Sequence, residues 1–205
     1  MHESQALSVS PKELQRVDPW LWAYYDKIRL VAGEFSLPGH EFQVEMMQET
    51  HRREAIKKAT QMVGTETQVL KSMHGMINKR YPLGILYLFP TADDVADFSD
   101  SRFKPLIDDN PLTIGRHVKE TNRTNLKRIG SSFLYFRGAR LTQDLKKQKR
   151  TSTKLKSIPD DKVVFDELDE MSPQAVAMAL RQCRIPRSRK KFIWPILRCR
   201  ITGSS

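Results

Sequence analysis

The residues best suited to chemistry are two adjacent carboxylates, Asp166 and Glu167, which follow the apolar run Lys162-Val163-Val164-Phe165. A run that is β-branched and aromatic without alternation predicts a strand buried on both faces of a parallel sheet. Acidic residues at the carboxyl end of such a strand fall in the crevice where open α/β sheets bind ligands. This is a Walker B pattern, in which the first carboxylate helps to hold Mg²⁺ and the second orients or activates an attacking water. The plain alternative is an acidic turn after a core strand. Chemistry at this place requires a phosphate-binding loop upstream.

Residues 52–60 predict a weak strand, Gln61-Met62-Val63-Gly64-Thr65-Glu66-Thr67 a turn, and Val69, Leu70, Met73, Met76 and Ile77 the apolar face of a helix. Such a strand, turn and helix leave backbone N–H groups free at the helix start to face an anion. Thr65 then offers a hydroxyl to Mg²⁺. The usual loop spacing is absent, however: no Gly-Lys pair occurs, and the lysines come early, at Lys57 and Lys58. Further upstream, Leu37-Pro38-Gly39-His40-Glu41-Phe42-Gln43 is a turn into an amphipathic run over 44–50. Its aromatic residue and glutamine amide suit an adenine base, although on chemistry alone Gln43 reads as a surface helix residue.

The remaining elements must carry these groups. A helix is expected over 11–32, interrupted or restarted at Pro19, with Trp20, Trp22, Tyr24 and Tyr25 as packing rather than base-stacking residues. Leu83 to Thr91 contains the clearest buried strand, and Thr91 caps a helix over 92–102 whose Asp93, Asp94, Asp97 and Asp100 form a solvated face rather than a metal cluster. Pro105 and Pro111 are expected to break the pattern, and 112–125 to be irregular. Phe133-Leu134-Tyr135-Phe136 predicts another strand, and Ser172-Pro173 the start of a helix through Ala175, Val176, Ala179 and Leu180. Strand, helix, strand order with connections of this length argues for parallel pairing.

The 205 residues suffice for one α/β domain, and no transmembrane stretch or signal peptide is read, so a soluble intracellular protein is expected. The net charge of +11 points to a polyanionic partner. Lys146, Lys147, Lys149, Arg150, Lys154 and Lys156 make either a solvated loop over 144–156 or a DNA-backbone contact. Seven basic residues and no acidic ones lie within 183–205, together with both cysteines, Cys183 and Cys199, whose number and spacing imply neither a disulfide framework nor a metal site.

In order along the chain, Phe42-Gln43, Lys58 through Gln61 to Thr65-Glu66, Phe89-Pro90-Thr91 with Phe98-Ser99 and Pro105-Leu106-Ile107, Leu155 to Pro159 and Val163 to Met171 form a set. That ordered set resembles the ATPase domain of the large subunit of phage terminase, the gpA-type DNA-packaging motor. The resemblance implies a P-loop NTPase fold of the ASCE or RecA-like type, an α/β fold whose mostly parallel sheet is flanked by helices, here truncated. It implies ATP and Mg²⁺ as cofactors, with Lys58, Gln61, Gly64, Thr65 and Glu66 in the phosphate loop and Phe42 and Gln43 at the adenine. Thr65 and Asp166 are then the Mg²⁺ side, and Asp166 and Glu167 the catalytic carboxylates. Val63 stands where the family's loop glycine belongs, and a β-branched residue resists positive φ.

The implied function is ATP hydrolysis driving double-stranded viral DNA into procapsids. The implied partners are DNA, the terminase small subunit, the portal and procapsid, and further copies of the intact chain, all in the host cytoplasm with no membrane contact. A truncated inactive remnant, a helicase-type translocase and a non-catalytic DNA-binding module are the alternatives. The family's endonuclease domain needs well over a hundred further residues, so no cleavage centre is expected. Arg116, Arg123, Arg128 and Arg137 are candidates for an arginine finger. The chain divides into an N-terminal helical lead-in at 1–36, the ATPase domain at 37–182, and a basic tail at 183–205 that is expected not to be native family sequence. Read out of frame, Phe192 to Ser204 can encode Tyr-Leu-Ala-Asn-Ser-Pro-Val-Pro-Asp-Tyr-Gly-Ile, which is similar to the family's coupling segment.

Overall fold

The computed structural model describes residues 10–51, 53–59, 64–140, 142–144, 149–151, 158–182 and 191–199. The chain enters through helices α1 (Pro11–Val17) and α2 (Pro19–Tyr25). Ser10 and Glu13 close a reciprocal capping box on α1, and the Asp18 carboxylate accepts from the Trp20 and Leu21 amides to start α2. Pro19 therefore restarts the helix, as expected. The helix does not reach 32: it ends at Tyr25, where Lys27 turns left-handed at φ +48°. Residues 29–34 instead form a hairpin of β1 (Arg29–Leu30) and β2 (Gly33–Glu34). Ile28 and Val31, whose spacing suggests one helical face, part company, with Ile28 buried and Val31 exposed.

Next come α3 (Phe42–Gln48), β3 (Arg53–Ala59), α4 (Gly64–Ile77), β4 (Ile85–Phe89) and α5 (Ala92–Phe98). A π-helical turn, Ser99–Phe103, runs straight into α6 (Lys104–Asp108). Pro105 sits in the first turn of α6, and the wider π-helical turn ahead of it, in which the Lys104 N–H reaches back to the Ser99 carbonyl, carries the chain past the N–H that proline lacks, so it does not break the run there. Residues 112–125 are more regular than their polarity suggests. A 3₁₀ turn at Gly115–His117 leads into β5 (Val118–Arg123), which pairs antiparallel with β6 (Leu126–Ile129). The chain continues with β7 (Ser132–Gly138), the antiparallel ladder of β8 (Thr142–Asp144) and β9 (Lys149–Thr151), β10 (Lys162–Asp166), α7 (Pro173–Gln182) and β11 (Lys191–Cys199). Part of the basic stretch is thus a ladder; 145–148 and 152–157 lie outside the described residues.

Seven strands make one sheet in the order β3-β11-β10-β4-β7-β6-β5. The pairs from β3 through β7 are parallel, and β6 and β5 extend the sheet antiparallel. β11, drawn from the basic segment, lies between β3 and β10. Its register slips between Ile193 and Ile196 on both flanks, around Pro195, which has no N–H to give a ladder.

Side chains alternate across the sheet into two cores. On one face Ile85, Tyr87, Phe89, Leu134, Phe136 and Val164 pack with Val69, Leu70, Met73 and Met76 of α4 and with Phe98, Phe103 and Leu106. On the other, Leu86, Leu88, Val163 and Phe165 pack with Ala175 and Ala179 of α7. Each fully buried side chain of this size contributes roughly 1.5–3 kcal/mol, and the two cores together fix the level of β10 between α4 and α7. Gly138 allows the turn after β4 to close on β7, because a Cβ there would stand 2.6 Å from the Ala92 nitrogen. No helix among the described residues is long and apolar enough to cross a membrane.

His74 ties the helical lead-in to this core. On α4 it is 1% exposed, its Nε2–H donates to the Gln15 carbonyl at 2.8 Å, and its ring lies 5.4 Å from that of Trp22. Burial lowers its pKa to about 4 against the backbone bond that favours the charged form. The unfolded chain therefore takes up a proton before the folded one as pH falls. The contribution of His74 is intact above about pH 6.5 and is lost between there and about pH 4. The loss is on the order of 3 kcal/mol at 1.36 kcal/mol per pKa unit. Urea midpoints across this range are expected to fall more steeply for the wild type than for His74→Gln, which has no proton to take up.

Candidate active site

The head of α4 follows β3 after residues 60–63, which lie outside the described residues and include Gln61 and Val63. Lys58 occupies the penultimate position of β3, its backbone paired with Arg198 of β11. Gly64 is the first residue of α4 and is buried, as are Thr65 and Glu66 at 7% and 8% exposure. A helix of this length presents amides without intrahelical partners, and the positive end of its dipole, at that point.

The fold brings the end of β10 against this helix start. The Thr65 hydroxyl donates to Asp166 Oδ1 at 3.2 Å, across 101 residues of sequence. Asp166 is 3% exposed, so its carboxylate depends on such donors. One residue on, Glu167 is half-buried and holds the left-handed conformation at φ 55° and ψ 51°. A non-glycine residue there is strained. The strand therefore ends at Asp166, and Glu167 leaves its alternation.

Tyr87, directly across the sheet from Val164, is fully buried on the α4 face. Burial raises its phenol well above the ordinary value, and the Asp166 charge pushes the same way. On the other flank of α4, Glu66 Oε1 accepts from Arg102 Nη1 at 3.2 Å. The Glu66 side chain is 10% exposed in that pair and that of Arg102 51%, so the cation reaches solvent. Neither Tyr87 nor Arg102 is marked by a local motif: Tyr87 reads as one more core residue of an apolar strand, and Arg102 as the end of an acidic helix.

Phe42 and Gln43 begin α3, with Phe42 half-buried and Gln43 2% exposed, so Gln43 is not a surface residue. The Met46 carbonyl accepts from Lys71 Nζ at 2.5 Å, and Gln48, Glu49 and Thr50 share a cleft with Gly75, Arg80 and Tyr81. α3 therefore packs beside α4. Of the arginine-finger candidates, Arg137 donates to the carbonyls of Asn125 and Phe136, and Arg128 lies 5.8 Å over the Phe133 ring. Arg116 donates to His117, and the side chain of Arg123 lies outside the described residues. Asp94 is committed to capping α5, where it accepts from Thr91 N and Oγ1.

A buried hydroxyl and a buried carboxylate sharing one hydrogen bond are hard oxygen donors suited to a small divalent cation. The adjoining helix start suits an anion. The described geometry thus fits a metal–polyphosphate pair, with Thr65 and Asp166 on the metal side and the start of α4 on the phosphate side.

The model of the family described as phage terminase large subunit gpA, ATPase domain, matches residues 32–195. No curated protein matches the chain. Among solved structures, the large terminase of a thermophilic bacteriophage is similar with a TM-score of 0.51 and 13% identity, over 75% of this chain and 38% of that one. At that identity the likeness is one of fold, and the chain spans well under half of the solved protein.

The conformation of Glu167 carries a measurable consequence. Glycine adopts this backbone freely, whereas a β-branched residue resists it. Glu167→Gly is expected to keep urea stability within about 1 kcal/mol of wild type, and Glu167→Val to lower it by more than that.

Proposed function

Because the chain belongs to the family of phage terminase large-subunit ATPase domains, we propose that it is a Mg²⁺-dependent ATP hydrolase whose turnover drives double-stranded viral DNA into a procapsid. The observation that carries this reading is the Thr65–Asp166 hydrogen bond, which joins the start of α4 to the end of β10.

Thr65 and Asp166 hold the cation, which when bound neutralises charge on the phosphate oxygens. The first amides of α4, from Gly64 onward, face the phosphates, and Lys58 adds its charge from the end of β3. Phe42 and Gln43, at the start of α3, take the adenine. Glu167 accepts a hydrogen bond from the attacking water and aligns it with the γ-phosphate. Its left-handed backbone takes Glu167 out of the alternation of β10, and the two neighbours divide the work, Asp166 for the metal and Glu167 for the water. Double-stranded DNA, the small subunit, the portal and further copies of the chain belong to the same proposal as the motor's partners. The net charge of +11 supports the polyanion among them.

Glu167→Gln keeps the shape of the side chain and removes its basicity. It is expected to lower steady-state ATP hydrolysis by at least about a hundredfold while leaving Mg·ATP affinity intact. Thr65→Ala loses the Mg²⁺ dependence of binding and Thr65→Ser restores it. Hydrolysis that survives Glu167→Gln removes Glu167 from the reaction; binding indifferent to Mg²⁺ in the wild type removes the metal site.

A further inference from the structure

Tyr87 is one of the largest fully buried side chains and stands in the middle of β4. In the parallel register it lies opposite Val164 of β10. Alternation along β10 returns to the same face at Asp166, and a neighbour one pleat further along the adjacent strand, roughly 8 Å away, is within reach of an aromatic side chain. Thr65 meets Asp166 from α4, which covers that same face. Thr65 and Asp166 therefore meet under the head of α4, with Tyr87 one pleat away on the same face of the sheet.

The ring has little freedom. It stacks on Phe89 at 5.2 Å and Phe98 at 6.3 Å, and meets Phe136 edge-on at 5.9 Å. Yet among the described residues its hydroxyl has no hydrogen-bond partner. Phenylalanine would make the same ring contacts without burying an unsatisfied polar atom. The packing accounts for the ring and leaves the oxygen without a role.

We propose that Tyr87 is a positioning residue of the metal–nucleotide site, whose hydroxyl donates to Asp166 when that carboxylate turns to a bound Mg²⁺ and so fixes the direction in which it faces the cation. The inference rests on the reading of Thr65 and Asp166 as the metal side of the site. A carboxylate that gives one oxygen lone pair to a cation retains others that need donors, and such donors set both ligand orientation and affinity. Tyr87 would supply one from a ring already held in place by Phe89, Phe98 and Phe136. In the arrangement described, Asp166 is instead turned to the Thr65 hydroxyl.

The test is Tyr87→Phe in the full chain, read by thermal denaturation without ligand and by titration with a fluorescent ATP analogue in Mg²⁺ or in EDTA. The variant is expected to be as stable as the wild type or more so, to bind the analogue unchanged in EDTA, and to bind it roughly tenfold or more weakly in Mg²⁺. Mg²⁺-dependent binding by the wild type that Tyr87→Phe matches overturns the role of Tyr87 and leaves the metal site standing. A lower midpoint, or equal losses in Mg²⁺ and EDTA, assigns the hydroxyl to packing and overturns it as well. Absence of Mg²⁺-dependent binding in the wild type overturns the metal site and this inference together.

Discussion

The hydrogen bond from Thr65 to Asp166 is the contact on which the arrangement depends. A carboxylate 3% exposed is costly to bury unless donors surround it. The donor here comes from the first turn of a helix, where the backbone dipole is also positive. For the two groups to meet, β3 and β10 must lie in one sheet with α4 crossing the face between them. The parallel order from β3 through β11 and β10 to β4 meets that demand, and the core of Val69, Leu70 and Met73 against Tyr87 and Val164 sets the depth of α4. A register slip of one residue in β10 would turn Asp166 to the α7 face and bury its charge among Ala175 and Ala179.

Irregularity is concentrated at this end of the sheet. β11 slips register around Pro195, so that Asp166 pairs with Ile196, and Glu167 then leaves the strand in a left-handed conformation. Both departures come where the strand delivers its two carboxylates. Regular strand geometry would have continued the alternation and placed Glu167 on the α7 face, away from the head of α4. The strain at Glu167 thus sets direction, and the sheet behind it at β4 and β10 is unbroken over Lys162 to Phe165.

Much of this is legible in the residues. Continuous apolar runs in β4 and β10 identify strands buried on both faces, and the order of strand, small-residue turn and helix marks the head of α4. The expected lead-in helix runs too far because Ile28 and Val31 keep helical spacing, while the stop is a backbone event at Lys27 that carries no hydrophobic signature. β5 and β6 escape notice because their polar residues pair through backbone ladders, to which side-chain pattern is blind. β11 is hidden by its charge: Phe192, Ile193, Trp194, Ile196 and Leu197 form an apolar run, but Pro195 and the flanking arginines and lysines direct attention to a basic tail. Arg102 and Tyr87 reach the site through pairings between distant elements, which no spacing along the chain encodes.

Along its body α4 is held by buried polar pairs. In the body, Lys71 is paired with Glu54 at 2.9 Å, both 6% exposed, and burial lowers the lysine's pKa despite that partner. Close by, Lys162 donates to Ser72, and His74 donates to Gln15. Removing one partner from a buried ion pair costs about 3–5 kcal/mol, so this part of the helix resists displacement. The head of α4 meets the segment between α5 and α6 through Glu66 and Arg102, a pair with a half-exposed cation of the kind worth about 0–1 kcal/mol. Arg102 belongs to the π-helical turn Ser99–Phe103, where the backbone already departs from regular hydrogen bonding. The body of α4 is therefore the fixed part against which the Thr65–Asp166 contact at its head is set.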